Sequence, residues 1–399
     1  MGGWDVTHIE RRIQALVIPP AVLEVMDNIR KAGGEVYVVG GAIRRWVWQS
    51  RGASAADYQD WDLTTNLPQE ALVRLAAGQK HPGERFGTFR LGEGVEVTLM
   101  RREGDYQDAR HPSLLIPTPD IAADLNRRDF TVNAVAFDGR RIVAVEHGIQ
   151  DLAGRRLRAV GRAEERFRED PLRILRLIRM MALEDASADA ETLQAARDLA
   201  QETLKVSRER RLAEFLRFLE SDLAAWSLWD QAGMSQSMEW PSMCARLEAG
   251  RWVNPPRSAL GRLAAYHLAR YGTIQHLRTW AGWWPLPRDW PPALAELGRA
   301  GGSWDPAAWA QRARREDGRF AWLFRDLAEA AGLPAAELER VRLSLSTDQI
   351  MQEFDLQGVV LGRVLSGLRG AIAAEPLLNE PDILRGKIRD YLRDSGNDC

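Results

Sequence analysis

The spacing of apolar residues changes character near residue 160 of this 399-residue chain. Before that point the apolar runs are short, alternating or continuous, and bounded by turn residues, which is the signature of strands. Strands are predicted over 35–39, 58–64, 86–91, 94–100 and 130–137, with helices over 19–32 and 68–77. Pro19 and Pro20 open the first helix, and Gly33-Gly34 stop it. From about 163 onward the apolar period is helical, over 170–184, 189–203, 208–220, 257–270, 335–343, 347–354 and 358–373. The stretch 283–306 is rich in Trp, Pro and Gly and reads as a junction between helical modules. The expected class is α+β. A small mixed α/β head spans 19–160, a helical neck 161–222, and a helical body and tail 223–399.

Composition adds modest constraints. A net charge of −2 gives no nucleic-acid signal, although a basic face is compatible with acidic surface elsewhere. Lys31, Lys80, Lys205 and Lys387 are the only lysines, so nearly all positive charge sits on arginine, the residue suited to bidentate phosphate contacts. A genomic bias toward Arg, Ala and Trp explains the same numbers. Cys244 and Cys399 make neither a disulfide framework nor a zinc site, which fits a reducing cytoplasm. The N-terminus has no basic region followed by an apolar core, and no uncharged apolar run reaches membrane-spanning length. No secretory signal and no membrane association are expected.

The chemistry concentrates between residues 37 and 65. An apolar run ends in Gly40-Gly41, a helical stretch with Arg44 follows, and Asp60 and Asp62 stand two residues apart. Glycines let backbone N–H groups approach a phosphate, and side chains at i and i+2 of a strand point the same way. The pattern suggests metal-assisted chemistry on a nucleoside triphosphate, with Asp60 and Asp62 as the metal ligands. Glu96 lies on the polar face of the next strand, either solvated there or serving as a third carboxylate of a two-metal site. Arg127, Arg128 and Asp129 form either a surface ion-pair cluster or a triphosphate clamp.

Farther on, Asp170-Pro171 is a good cap and first-turn pair. Arg173, Arg176 and Arg179 recur every third residue in an otherwise apolar helix, so they spiral around it, and burying them requires partners. An Asp–Arg pair such as Asp170 and Arg173 can also accept the exocyclic amine of cytosine or adenine and donate to the adjacent ring nitrogen, while rejecting uracil and guanine.

Five motifs then occur in a family's order: Gly-Gly-Ala-Ile-Arg…Asp-Trp-Asp, Arg-Arg-Asp-Phe-Thr-Val-Asn-Ala, Gly-Ile-Gln-Asp-Leu, Glu-Asp-Pro-Leu-Arg-Ile-Leu-Arg and Val-Ser-Arg-Glu-Arg-Arg-Leu-Ala-Glu-Phe. The chain resembles the bacterial class II tRNA nucleotidyltransferases, the CCA-adding enzymes of the polymerase-β superfamily. The motifs cover about 36–216, and the stretch from Asp355 to Glu380 is similar, less specifically, to the tail of firmicute-type members. The resemblance implies a nucleotidyltransferase head, transfer of CMP and AMP from CTP and ATP to a tRNA 3′ end, and Mg2+ as cofactor. It implies that Gly41, Arg44 and Arg128 bind nucleotide and that Asp60 and Asp62 hold magnesium. Asp170, Arg173, Arg176 and Arg179 match the protein template and its neighbouring arginines, and 206–215 matches a helix that braces the neck. Where the family usually has Asp after the arginine of the Gly-Gly motif, this chain has Arg45. Residues 101–113 resemble a loop that CC-adding relatives tend to lack, which favours complete CCA addition over CC-adding, A-adding or poly(A) polymerase activity. No histidine is followed by aspartate, so the phosphohydrolase domain of some relatives is not expected. A catalytically lapsed RNA-binding homologue remains the alternative from another class, and monomer and homodimer both stay open.

Overall fold

The computed structural model describes residues 5–49, 60–76, 84, 87–102, 116–221, 223–234, 256–271, 273–282, 284–299, 305–313, 320–331, 333, 343–374 and 380–395. Most of the 101–113 stretch and of the helix expected over 335–343 lies outside these residues.

Two helices precede the sheet: α1 (Val6–Gln14), capped by the Asp5 side chain, and α2 (Pro20–Lys31). β1 (Val36–Val39) is buried at every position, as a strand covered on both faces must be. It leads through Gly40 into α3 (Gly41–Trp48). Then come β2 (Trp61–Thr65), α4 (Gln69–Leu75), β3 (Thr88–Gly92), β4 (Val95–Leu99), the two-residue ribbon β5 (Arg101–Arg102) and β6 (Ile116–Pro117), and α5 (Ile121–Asn126). β7 (Val135–Phe137) and β8 (Ile142–Ala144) complete a mixed six-stranded sheet in the order β3-β4-β2-β1-β7-β8. Only β2 and β4 pair in parallel in that sheet.

The two faces divide by chemistry. Trp61, Leu63, Val38, Val95 and Val97 are all at or below 3% exposure and share one face with the α2 residues Met26 and Ile29 in the core. On the other face, α5 covers Tyr37, Val39, Ala134 and Ala136 with Ile121 and Leu125. Asp62 lies on this second face, beyond the part that the apolar cluster occupies, and is exposed.

After the sheet come α6 (Gly148–Gly154), α7 (Ala163–Glu169), α8 (Leu172–Glu184), α9 (Ala190–Asp198) and α10 (Arg208–Phe218). Residues 1–218 with 225–243 form one compact unit, and 219–224 with 244–399 form a second. The described parts of the second unit are helical. Its tail helices Thr347–Phe354, Gly358–Ala374 and Pro381–Ser395 share a core of Ile350, Leu356, Val364, Leu368, Ile372, Leu384 and Ile388. Ser346 and Gln349 make a reciprocal capping box at the first of them. No described helix is long and apolar enough to cross a membrane.

Several sequence expectations shift. The run 130–137 is a strand only over its last three residues. Thr131–Asn133 forms a 3-10 turn, because Asp129 Oδ1 accepts from Phe130 N at 2.8 Å and from Asn133 Nδ2 at 2.9 Å, drawing the chain away from the ladder. The helix expected at 170 begins at Leu172, after a break at Asp170 that separates it from α7. The stretch 283–306 contains a helix, Trp290–Arg299, whose two prolines sit in the first turn, where their missing N–H groups cost nothing. α1 and β8 were not anticipated.

Candidate active site

Asp60 and Asp62 flank Trp61 at the start of β2, near enough for the charge of Asp60 to act on Asp62. Trp61 between them is 3% exposed, while both carboxylate residues are exposed. The register sets Glu96 of β4 directly beside Asp62. Although the residue keeps an exposed edge, the protein packed around its carboxylate strips part of the solvation and raises the Asp62 pKa above the ordinary carboxylate value. Glu96 and Asp60 raise it further, against the pull of Arg128 and Arg45. Glu96 itself is turned toward Arg90, 3.4 Å away in an exposed pair. Among the described residues no three His, Cys, Asp or Glu side chains are grouped to hold a metal. Glu96, expected either as a solvated residue or as a third carboxylate, thus stands beside Asp62 in the register and pairs with Arg90. Two hard carboxylates still fit Mg2+, which takes one or two and completes its shell with water and substrate phosphates.

The glycine pair stands at the start of α3. Gly40 has φ 68° and ψ −124°, a conformation that only glycine adopts without strain. A β-carbon on Gly40 would lie 3.4 Å from Arg128 Nη1, and one on Gly41 would lie 4.0 Å from Arg45 Cζ. Gly40→Ala is therefore expected to cost about 1–3 kcal/mol through backbone strain, with the added methyl in van der Waals contact with Arg128. A urea titration reads the cost, and an unchanged midpoint would sink the strain argument.

Arg128 is held by Asp124, fully buried on α5. Asp124 accepts from Arg128 Nη2 at 3.1 Å, from Arg127 Nε at 2.9 Å and Nη2 at 2.7 Å, from the Arg101 backbone at 3.3 Å and from Thr64 Oγ1 at 3.4 Å. Burial raises the Asp124 pKa, but Arg128 and Arg127 outweigh it and hold the carboxyl below its usual range. Burial in turn lowers Arg127 to about 10, against the attraction of Asp124.

The arginines of α8 find the partners their spiral demands. Arg173 Nη1 donates to Glu169 at 2.7 Å and to the Arg166 carbonyl at 2.9 Å, and its Nη2 reaches the Arg127 carbonyl at 3.2 Å. Arg176 pairs with Asp129 at 2.8 Å, and Arg179 Nε donates to Glu214 of α10 at 2.5 Å. Asp170 uses one oxygen to cap Leu172 N at 3.1 Å and the other to accept from Arg210 at 3.0 Å. Asp170 and Arg173 are thus engaged apart from one another. Arg44 is 8% exposed and ties α3 to Asn133 and, at 2.9 Å, to Glu184 of α8.

Residues 36–158 match the family model for the poly A polymerase head domain. A CCA-adding enzyme of Streptococcus pneumoniae is 38% identical over 201 residues, 49% of each chain. One from Lactobacillus helveticus is 35% identical over 199 residues, 49% of this chain and 48% of its own. The match thus spans about half the length of these curated relatives. Among solved structures, a Bacillus stearothermophilus CCA-adding enzyme in complex with CTP superposes with a TM-score of 0.65 at 22% identity, over 96% of this chain and all of its own. The Thermotoga maritima CCA-adding enzyme complexed with tRNA gives 0.60 at 16% identity, over 98% and 100%. At these identities the superpositions establish the α+β fold.

Within residues 36–158, Arg128 approaches Gly40 and its charge, like that of Asp60, acts on Asp62. Arg44, expected at the nucleotide, has its side chain buried against Asn133 and Glu184. Sequence reasoning named Asp129 beside Arg127 and Arg128, and missed Asp124, Asn133, Glu184 and Glu214, which with it hold the arginines. The i, i+4 spacing of Asp124 and Arg128 was the one local signal available.

Proposed function

We propose that the protein adds CMP and AMP from CTP and ATP to the 3′ end of tRNA without a nucleic-acid template, releasing pyrophosphate. The observation that carries this reading is the meeting of two exposed carboxylates with a glycine turn flanked by arginine, at the head of a helix. Relatives named CCA-adding enzymes, one solved with CTP and another with tRNA, support the substrates. Asp60 and Asp62 would hold Mg2+, which supplies activation of the 3′-hydroxyl and charge stabilisation on the leaving pyrophosphate. Arg128 and the N–H groups at the start of α3 would orient the triphosphate. The helical residues beyond 223 would grip the tRNA acceptor arm through its backbone. A cytoplasmic location accords with that substrate.

Incubating the purified protein with tRNA lacking its 3′ end, with each triphosphate singly and combined, tests the reading. CTP alone should give CC ends, and CTP with ATP should give CCA. Unlimited AMP addition would assign a poly(A) polymerase, and no incorporation would overturn the reading.

Base choice is assigned to Asp170 and Arg173. Both must exchange partners to meet a base, Asp170 leaving Arg210 and Arg173 leaving Glu169. Asp170→Ala is expected to reduce CTP-over-UTP preference about tenfold, since a bidentate contact is worth roughly 1–3 kcal/mol of discrimination. Loss of the cap alone would cost about 1 kcal/mol of stability and leave preference intact. Relative incorporation of the four triphosphates, measured beside the melting curve, separates the two.

A further inference from the structure

Arg45 occupies a place that none of the proposed roles uses. It is one helical turn past Gly41, and side chains on a helix lean back toward its N-terminus. Its guanidinium therefore returns to the head of α3, where a β-carbon on Gly41 would lie 4.0 Å from Cζ and Nη1. Nη2 donates to the Asp60 carbonyl at 2.9 Å, so the same group touches the strand that bears the two carboxylates. Its charge is felt at Asp62, as is that of Arg128. Arg128 approaches Gly40, and Arg45 approaches Gly41. Each glycine of the turn thus has a guanidinium close by, with the N–H groups that open an eight-residue helix beside them. A polyanion lying on that turn would meet two cations, in a fork geometry suited to phosphate oxygens.

We propose that Arg45 is a second phosphate-clamping residue, paired with Arg128 across the Gly40-Gly41 turn, and that it binds the triphosphate of the incoming nucleotide irrespective of base. The proposal rests on the nucleotidyltransferase reading. A contact to phosphate carries no base information, so Arg45 acts on all four nucleotides alike, unlike Asp170. One Arg45 amino group stays on the Asp60 carbonyl, which fixes the guanidinium before the anion arrives and keeps the ordering cost low.

The test is calorimetric binding of CTP, ATP and inorganic tripolyphosphate to the full chain, with and without Mg2+, for wild type and Arg45→Gln. Melting curves check the fold. Arg45→Met, whose apolar stem suits the half-buried position, serves where the Gln variant does not fold. Loss of a charge-assisted contact should weaken all three ligands by about tenfold or more, in Mg2+-free buffer as well as with Mg2+. If Arg45 only steadies Asp60, tripolyphosphate binding without Mg2+ will match wild type and only the Mg2+ requirement will rise. That result overturns the proposal. Wild-type protein that binds neither CTP nor ATP would overturn the nucleotidyltransferase reading instead.

Discussion

Asp62→Asn should lower nucleotide transfer on the order of 10³-fold, because it removes a proposed metal ligand and metal charge stabilisation is worth several kcal/mol; in Mg2+-free buffer it should raise the melting temperature. The second effect follows from the raised pKa of Asp62. A carboxyl that is harder to ionise in the folded state binds more protons there than in the unfolded chain, so stability falls with rising pH across the interval between the two values. The interval starts near the ordinary carboxylate value of about 4 and extends upward to the raised one. Above it the cost is constant, and the neutral amide removes it. Mg2+ should stabilise wild type at neutral pH by binding only the folded form, and should stabilise Asp62→Asn much less. Melting curves at pH 5 and 8, with and without Mg2+, read all of this. A variant that melts lower than wild type without metal, yet gains as much from Mg2+, would remove Asp62 from the metal site.

Asp129→Ala should cost about 3 kcal/mol of folding stability, the low end for breaking a buried ion pair, since Arg176 is partly open to solvent. Asp129 is 9% exposed and accepts from Arg176, Asn133 and the Phe130 backbone. Burial pushes its pKa up, but Arg176, the hydrogen bond from Asn133 and the charge on Arg173 overcome that and depress it strongly. Arg176 is raised in return, first by Asp129. A depressed carboxylate contributes stability that is fully present above about pH 4 and lost as pH falls toward the folded value. The gap between wild type and Asp129→Ala should therefore be widest at neutral pH and narrow in acid. Urea titrations at pH 7 and pH 3 measure it, and a gap of equal size at both would show that the charge is not responsible.

How much of this was legible in the sequence depends on the range of each interaction. The i, i+2 carboxylates and the glycine stop after an apolar run are local, and they appear where the sequence put them. The spiral of Arg173, Arg176 and Arg179 announced a demand for partners, but Asp129 lies 47 positions from Arg176 and Glu214 lies 35 positions from Arg179. Nothing in a single sequence specifies such pairings. The 3-10 turn at Thr131–Asn133 was hidden because Val132 and Ala134 keep the apolar rhythm of a strand while Asp129 bends the backbone beneath it. The partners of Arg44 were hidden for the same reason: its motif fixes its address, but Glu184 lies 140 positions away.

The bonds to Asp124 bear on how this protein tolerates exchange of parts. The backbone N–H of Arg101 ends on the same carboxylate that steadies Arg128. The two-rung ladder of Arg101 with Pro117 and Arg102 with Ile116 closes the neck of the segment between them. A chimera that imports a relative's segment should be spliced inside that ladder, between 102 and 116. Cut there, the graft inherits an intact foundation; cut earlier, it disturbs the carboxylate on which Arg128 rests.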